Sequence, residues 1–201
     1  MYPYECALTD KKYGGVENMN IYEIKQTMLD KGIPMEVIRQ FVFPKSEAET
    51  PKEEIAFASQ MDKLLTKEQI LSVMQEQGCS KNKPTNEFMS RLKDKSIEER
   101  IEIINALDKS ESAHCRLNDS GTLSIFWDFY NEDGKYRCVC STINKLPEPA
   151  TVSLTYCGCC SGHVKYHFEN YLGVKLRLIE IVSSPISSNG EKQCEHLFEI
   201  I

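Results

Sequence analysis

Five of the chain's nine cysteines fall within 23 residues: Cys138-Val-Cys140, sixteen intervening residues, then Cys157-Gly-Cys159-Cys160. Thiolates are soft ligands, and four of them form the tetrahedron that zinc prefers, at about 2.3 Å from the metal. An iron–sulfur cluster uses the same ligand set. If both C-x-C pairs lie on strands, alternation points Cys138 and Cys140 to one side and Cys157 and Cys159 to one side. Adjacent strands would then bring Cys138, Cys140, Cys157 and Cys159 to one ion. The same spacing also fits two strands that bury small thiols in a core. Both readings stand on these residues.

A second chemistry uses the same stretch. Cys159 and Cys160 precede a helical pattern that begins at Ser161. The positive end of a helix favours a thiolate. His163, in the next turn, is placed to act as base or orienter, so Cys159 or Cys160 could serve as the nucleophile of a hydrolase. His163 and His167 are four residues apart and share a helix face. His167 flanks the apolar Val164/Phe168 stripe and reads as partly solvated. In the last strand Cys194, His196, Phe198 and Ile200 alternate onto one face, and the two apolar residues make it the core side. His196 is therefore expected to be packed and hydrogen-bonded. Phe126, Trp127, Phe129 and Tyr130 suit a core, or the wall of a ligand pocket. The scattered Cys6, Cys79, Cys115 and Cys194 read as small buried hydrophobes, and His114-Cys115 shows no pattern.

Composition narrows the classes of function. The net charge is −6, whereas a general nucleic-acid binder needs basic surface against the phosphates. No run of 18 apolar residues occurs, so no membrane span is expected. The first ten residues, MYPYECALTD, show neither a basic segment nor an apolar one, so a secretory signal is not expected. These features point to a cytoplasmic protein whose thiols stay reduced, and whose partners are a small molecule or a metal ion. The oligomeric state is left open.

The elements that must position these residues change character along the chain. Ile21, Ile24, Met28 and Leu29 form one helical face that stops near Gly32. Pro34 opens a short helix. Thr50-Pro51-Lys52-Glu53, Thr66-Lys67-Glu68-Gln69 and Ser96-Ile97-Glu98-Glu99 are capping boxes, and a further helix follows Pro84. About six helices are expected over residues 1–110. Period-2 segments follow: Thr122 to Tyr130, a turn at Asn131-Glu132-Asp133-Gly134, a return strand from Tyr136 to Ser141, a loop with Pro147 and Pro149, and a strand from Thr151 to Cys157. A helix over 160–172 ends at Gly173, and strands are expected at Val174–Val182 and Gln193–Ile201. The fold class is α+β: a helical N-terminal half, then residues 111–201 as a mostly antiparallel sheet packed on one long helix, the whole forming one compact unit.

Cys157-Gly-Cys159, Gly162, Phe168-Glu169, Gly173, Glu180-Ile-Val-Ser183, Gly190, Cys194 and Phe198-x-Ile200 together resemble the C-terminal part of bacterial and archaeal proteins of the 2-amino-thiazoline-4-carboxylic acid hydrolase-like family. That part is in turn similar to the 4-vinyl reductase small-molecule-binding domain. The upstream Cys138-x-Cys140 fits the same pattern. The resemblance covers about the last 65 residues. It implies an α+β fold, a small-ligand pocket beside the central helix, and hydrolysis of a cyclic amidine. It supplies no catalytic residue.

Overall fold

The helices of the first half begin where side chains satisfy the free N–H groups of their first turns. Asn20 accepts from Tyr22 and Glu23 at the head of α1 (Ile21–Asp30). Reciprocal capping boxes open α3 (Pro51–Leu64) through Thr50 and Glu53, and α4 (Lys67–Met74) through Thr66 and Gln69. Ser96 and Glu99 do the same for α6 (Ile97–Asn105). Pro34 precedes the single-turn α2 (Met35–Ile38), and Thr85 caps α5 (Asn86–Leu92). The computed structural model describes residues 19–44, 50–78, 81–107, 113–130, 133–144, 146 and 152–201. Cys6, Cys79, Ser110, Asn131, Glu132, Pro147, Pro149 and Thr151 lie outside these residues.

The second half holds a four-stranded sheet in the order β1-β2-β4-β3, with every pairing antiparallel. Its strands are β1 (His114–Leu117), β2 (Thr122–Trp127), β3 (Leu176–Ser183) and β4 (Cys194–Ile200). A single-turn helix, α7 (Ser141–Asn144), and the long α8 (Gly158–Leu172) lie between β2 and β3 in the chain. The fold is therefore α+β, with helices first and a wholly antiparallel sheet after.

Three expected elements differ. The partner of β2 is β1, reached through a tight turn in which the Gly121 N–H donates to the Asn118 carbonyl. The expected return strand from Tyr136 to Ser141 makes one isolated bridge, Tyr136 to Tyr130, and then leaves the sheet. Residues 153–158 are not a strand. Tyr156, Cys157 and Gly158 donate three residues back to Ser153, Leu154 and Thr155, and these tight turns run directly into α8. That helix consequently starts three residues before Ser161.

Helix α8 is seated by its small residues. A Cβ on Gly158 would stand 2.5 Å from Cβ of Met74, and one on Gly162 would stand 1.6 Å from the Gln77 carbonyl oxygen. The two glycines are one turn apart, so they present a flat stripe against α4 and the turn after it. On its other side α8 buries Val164, Phe168 and Leu172 in the sheet core with Leu123, Ile125, Leu178 and Phe198. Gly173, left-handed at φ 71°, ends the helix by donating to the Glu169 carbonyl. Arg100 of α6 donates to the Tyr171 carbonyl at 3.0 Å, covering that end.

Two cores result. One is formed by α1, α3 and α4 around Ile24, Met28, Phe57, Met61 and Met74; the other lies between the sheet and α8. The halves also meet through polar contacts: the Leu178 N–H donates to Gln75, and Lys67 pairs with Glu180.

Candidate functional site

The cysteine-rich stretch lies at the seam between the two cores. Cys157 is the N-cap of α8, and Cys159 and Cys160 occupy its first turn. Successive residues of a helix turn by about 100°, so positions two apart face nearly opposite ways. The strand alternation expected for Cys157 and Cys159 therefore does not apply. Their surroundings agree: Cys157 packs into the sheet core and Cys159 into the core of the helical half. Both are buried, at 6% and 8% exposure. Cys160 is half-buried against the sheet core.

Cys138 and Cys140 lie on a segment without sheet pairing. The Cys140 backbone N–H turns back onto Cys138 Sγ at 3.4 Å, so a local turn rather than strand alternation relates the two residues. Cys140 Sγ is 3.7 Å from the Tyr156 hydroxyl, which donates to Glu54 Oε2 at 3.0 Å. Glu54 is a fully buried residue of α3. Burial raises the Tyr156 hydroxyl pKa, and the neighbouring Cys140 and Glu54 raise it further. At the next residue along, Cys157, the Ser184 hydroxyl just past β3 favours the thiolate, against the rise that burial causes.

Electrostatics draws a set of four thiols together. Cys138 is pushed up to about 12, first by burial and then by Cys140 and Cys157. Burial pushes Cys157 up to about 11, with Cys140 adding to it and Ser184 opposing it. Cys194 is raised well above its ordinary value, by burial first and then by Cys138, Cys157 and Cys140. Cys140 is among the causes for all three, so negative charge at Cys140 opposes the ionisation of each. Among the described residues, no group of three or more His, Cys, Asp or Glu side chains stands in ligating geometry.

The histidines form a second cluster beside the thiols. Cys194 is opposite Trp127 in the β2–β4 register. The Trp127 ring is 6.2 Å from His163 and 6.1 Å, edge-on, from His196. His163 and His167 lie 4.6 Å apart. His196 Nδ1 is 2.8 Å from Ser161 Oγ, and both residues are at most 1% exposed. Burial pushes His196 down to about 3, helped by His163. The expected packed, hydrogen-bonded histidine is therefore present, and its partner is a serine of α8. His167 Nδ1 lies 3.2 Å from the Tyr171 hydroxyl.

No family model, curated protein or solved structure matches this chain. Among the described residues, no helix is long and apolar enough to cross a membrane. A cleft of about 250 Å³ opens beside α8, lined by Glu76, Lys165, Glu169, Lys175 and Arg177 among others, and no cysteine or histidine borders it. Its charged walls differ from the apolar lining usual for a small-molecule pocket.

The sequence missed Cys194, Ser184, Tyr156 and Glu54 as neighbours of the cluster. Cys194 carried one signal, its alternation with Phe198 onto the core face. The other three carried none, because only the turn at 153–158 and the docking of α3 bring them there.

Proposed function

We propose that this chain is a cytoplasmic metal-binding protein whose cysteine cluster holds one thiophilic ion, with zinc ahead of an iron–sulfur cluster. The observation that carries the proposal is local geometry: the Cys140 N–H meets Cys138 Sγ at 3.4 Å, and Cys140 Sγ lies 3.7 Å from the hydroxyl of Tyr156, the residue before Cys157. Clustered cysteine thiols lose their protons when a divalent cation supplies the opposite charge. The local turn supports the same reading: an N–H aimed at a cysteine sulfur offsets thiolate charge and orients the ligand.

Metal content of untagged protein, purified without chelators, tests this. About one zinc per chain is expected. A chain that neither contains zinc nor competes for it against a chromophoric chelator would sink the proposal.

A cysteine hydrolase, with Cys159 or Cys160 as nucleophile and His163 as its helper, is the second reading. The first turn of α8 favours it, since both thiols sit at the helix's positive end. The resemblance to the 2-amino-thiazoline-4-carboxylic acid hydrolase-like family would make a cyclic amidine its substrate.

A further inference from the structure

We propose that the charged cleft beside α8 binds a phosphate group, carried by a small metabolite or free as the inorganic ion. No cysteine or histidine borders this cleft, so the inference is independent of the metal-binding reading.

The cleft lies at the start of β3, on the outer edge of the sheet, between the latter half of α8 and the turn after α4. An open strand edge invites pairing with another strand. Two side chains occupy this edge instead. The Leu176 N–H donates to Glu169 Oε1 at 2.9 Å, and the Leu178 N–H donates to Gln75 Oε1 at 3.0 Å. Glu169 also pairs with Lys175 at 3.3 Å. Glu76, the other carboxylate in the wall, pairs with Lys31 at 2.9 Å. Glu199 holds Arg177. The acids around the cleft are therefore already engaged by the chain itself.

The cations keep donors to spare. Lys165 is the clearest case, with a side chain only 17% exposed. Among the described residues its one ion-pair partner is Glu169 at 3.5 Å, too long for an ordinary hydrogen bond. A largely buried ammonium gains from a ligand that supplies acceptors to its N–H groups. Lys175 and Arg177, on either side of Leu176, remain mostly exposed. Lys81 adds its charge by donating to the Glu76 main-chain carbonyl at 2.6 Å, not to a carboxylate. The cationic side chains Lys31, Lys81, Lys165, Lys175 and Arg177 thus outnumber the carboxylates of Glu76, Glu169 and Glu199, in a chain whose net charge is −6.

That surplus fits a compact dianion. A phosphate monoester carries about −1.5 to −2 at pH 7 and offers three acceptor oxygens in a tetrahedron. The ammonium of Lys165 from α8, that of Lys175, and the donors of Arg177 not held by Glu199 come from separate directions to meet them. A carboxylate brings one charge and two oxygens, and leaves part of this set unmatched. The cleft's volume of about 250 Å³ suits a small monoester rather than a larger ligand.

Titration of the full chain with inorganic phosphate and with glycerol 3-phosphate, followed by the amide NMR shifts of Leu176 and Arg177, tests the proposal. Saturable shifts are expected with at least one of the two, and acetate should bind about tenfold more weakly or worse. Tighter binding of the monoester identifies a metabolite as the source; equal or tighter binding of inorganic phosphate identifies the free ion. Lys165→Gln is expected to weaken binding by about tenfold or more. Lys95→Gln should leave it unchanged, because Lys95 pairs with Glu99 and does not line the cleft. If Lys165→Gln fails to fold, Arg177→Gln, at a mostly exposed side chain, is expected to show the same loss. No saturable shift with either phosphate, equal affinity for acetate, or undiminished binding by the folded cleft variant overturns the proposal.

Discussion

Gly162 of α8 lies directly on the backbone of Gln77, so that a Cβ at Gly162 would stand 1.6 Å from the Gln77 carbonyl oxygen. This contact sets how closely α8 approaches the helical half, and hence where its cysteine-bearing first turn is held. A backbone carbonyl cannot move aside as a side chain can. Gly162→Ala is therefore expected to cost about 3 kcal/mol or more in urea unfolding. Gly158→Ala should cost less, because its nearest contact, Met74 Cβ, stands at 2.5 Å rather than 1.6 Å and so needs a smaller shift. Equal or negligible losses would show that α8 is seated differently.

Phe168 is 1% exposed and meets Tyr171 edge-on, at 5.8 Å between ring centroids. Tyr171 in turn meets Phe88 of α5 edge-on at 5.1 Å, so this aromatic chain ties the sheet core to the helices before it. Phe168→Ala is expected to destabilise the chain by roughly 3–5 kcal/mol. Chemical denaturation gives the figure directly, and a loss under 1 kcal/mol would contradict the burial.

Much of this architecture was legible in the sequence, and the reason lies in particular residues. Thr50, Thr66 and Ser96 announce their helices through contacts that span three residues, so local sequence suffices. Val164, Phe168 and Leu172 share a face by helical period alone. The strand expected at 151–157 does not form over 153–157: Val152 and Thr155 carry strand propensity, but tight turns feed α8 instead. β1 was missed because its four residues, His114 to Leu117, are too few to show a period. At the site, Cys138, Cys140 and Cys157 were visible as a cluster. Cys194 lies 34 residues beyond Cys160 in the chain, and only the β2–β4 and β3–β4 pairings bring it back.

Ser161 and His196 form a buried pair whose worth is testable by removing one partner and then both. Ser161→Ala deprives the buried His196 Nδ1 of its partner at 2.8 Å. An unsatisfied buried polar group costs about 1–3 kcal/mol. Replacing both partners by apolar residues removes that desolvation penalty. The double variant Ser161→Ala/His196→Leu is therefore expected to be more stable than additivity of the two single losses allows. Strict additivity in a double-mutant cycle would show that the pair is not coupled.

The protonation state of the metal-free thiols distinguishes a ligand cluster from a nucleophile. Burial pushes Cys138 up to about 12 and Cys157 to about 11. At pH 8 only a small fraction of either is thiolate, while a free cysteine near pKa 8.5 is substantially ionised. After chelation, both should react with iodoacetamide more slowly than a free cysteine by more than about a hundredfold, with peptide mapping assigning each site. Cys160 is the informative exception, being half-buried in the first turn of α8. If it acts as the nucleophile of a hydrolase, it should label faster than free cysteine below pH 8, and His163→Ala should slow it. Slow labelling of Cys160 across that range removes the nucleophilic reading, because thiolate at neutral pH is the one property that chemistry cannot do without. Fast labelling of Cys138 and Cys157 would instead mean that the pocket is open to water, and the argument for a cation-neutralised cluster would lose its basis.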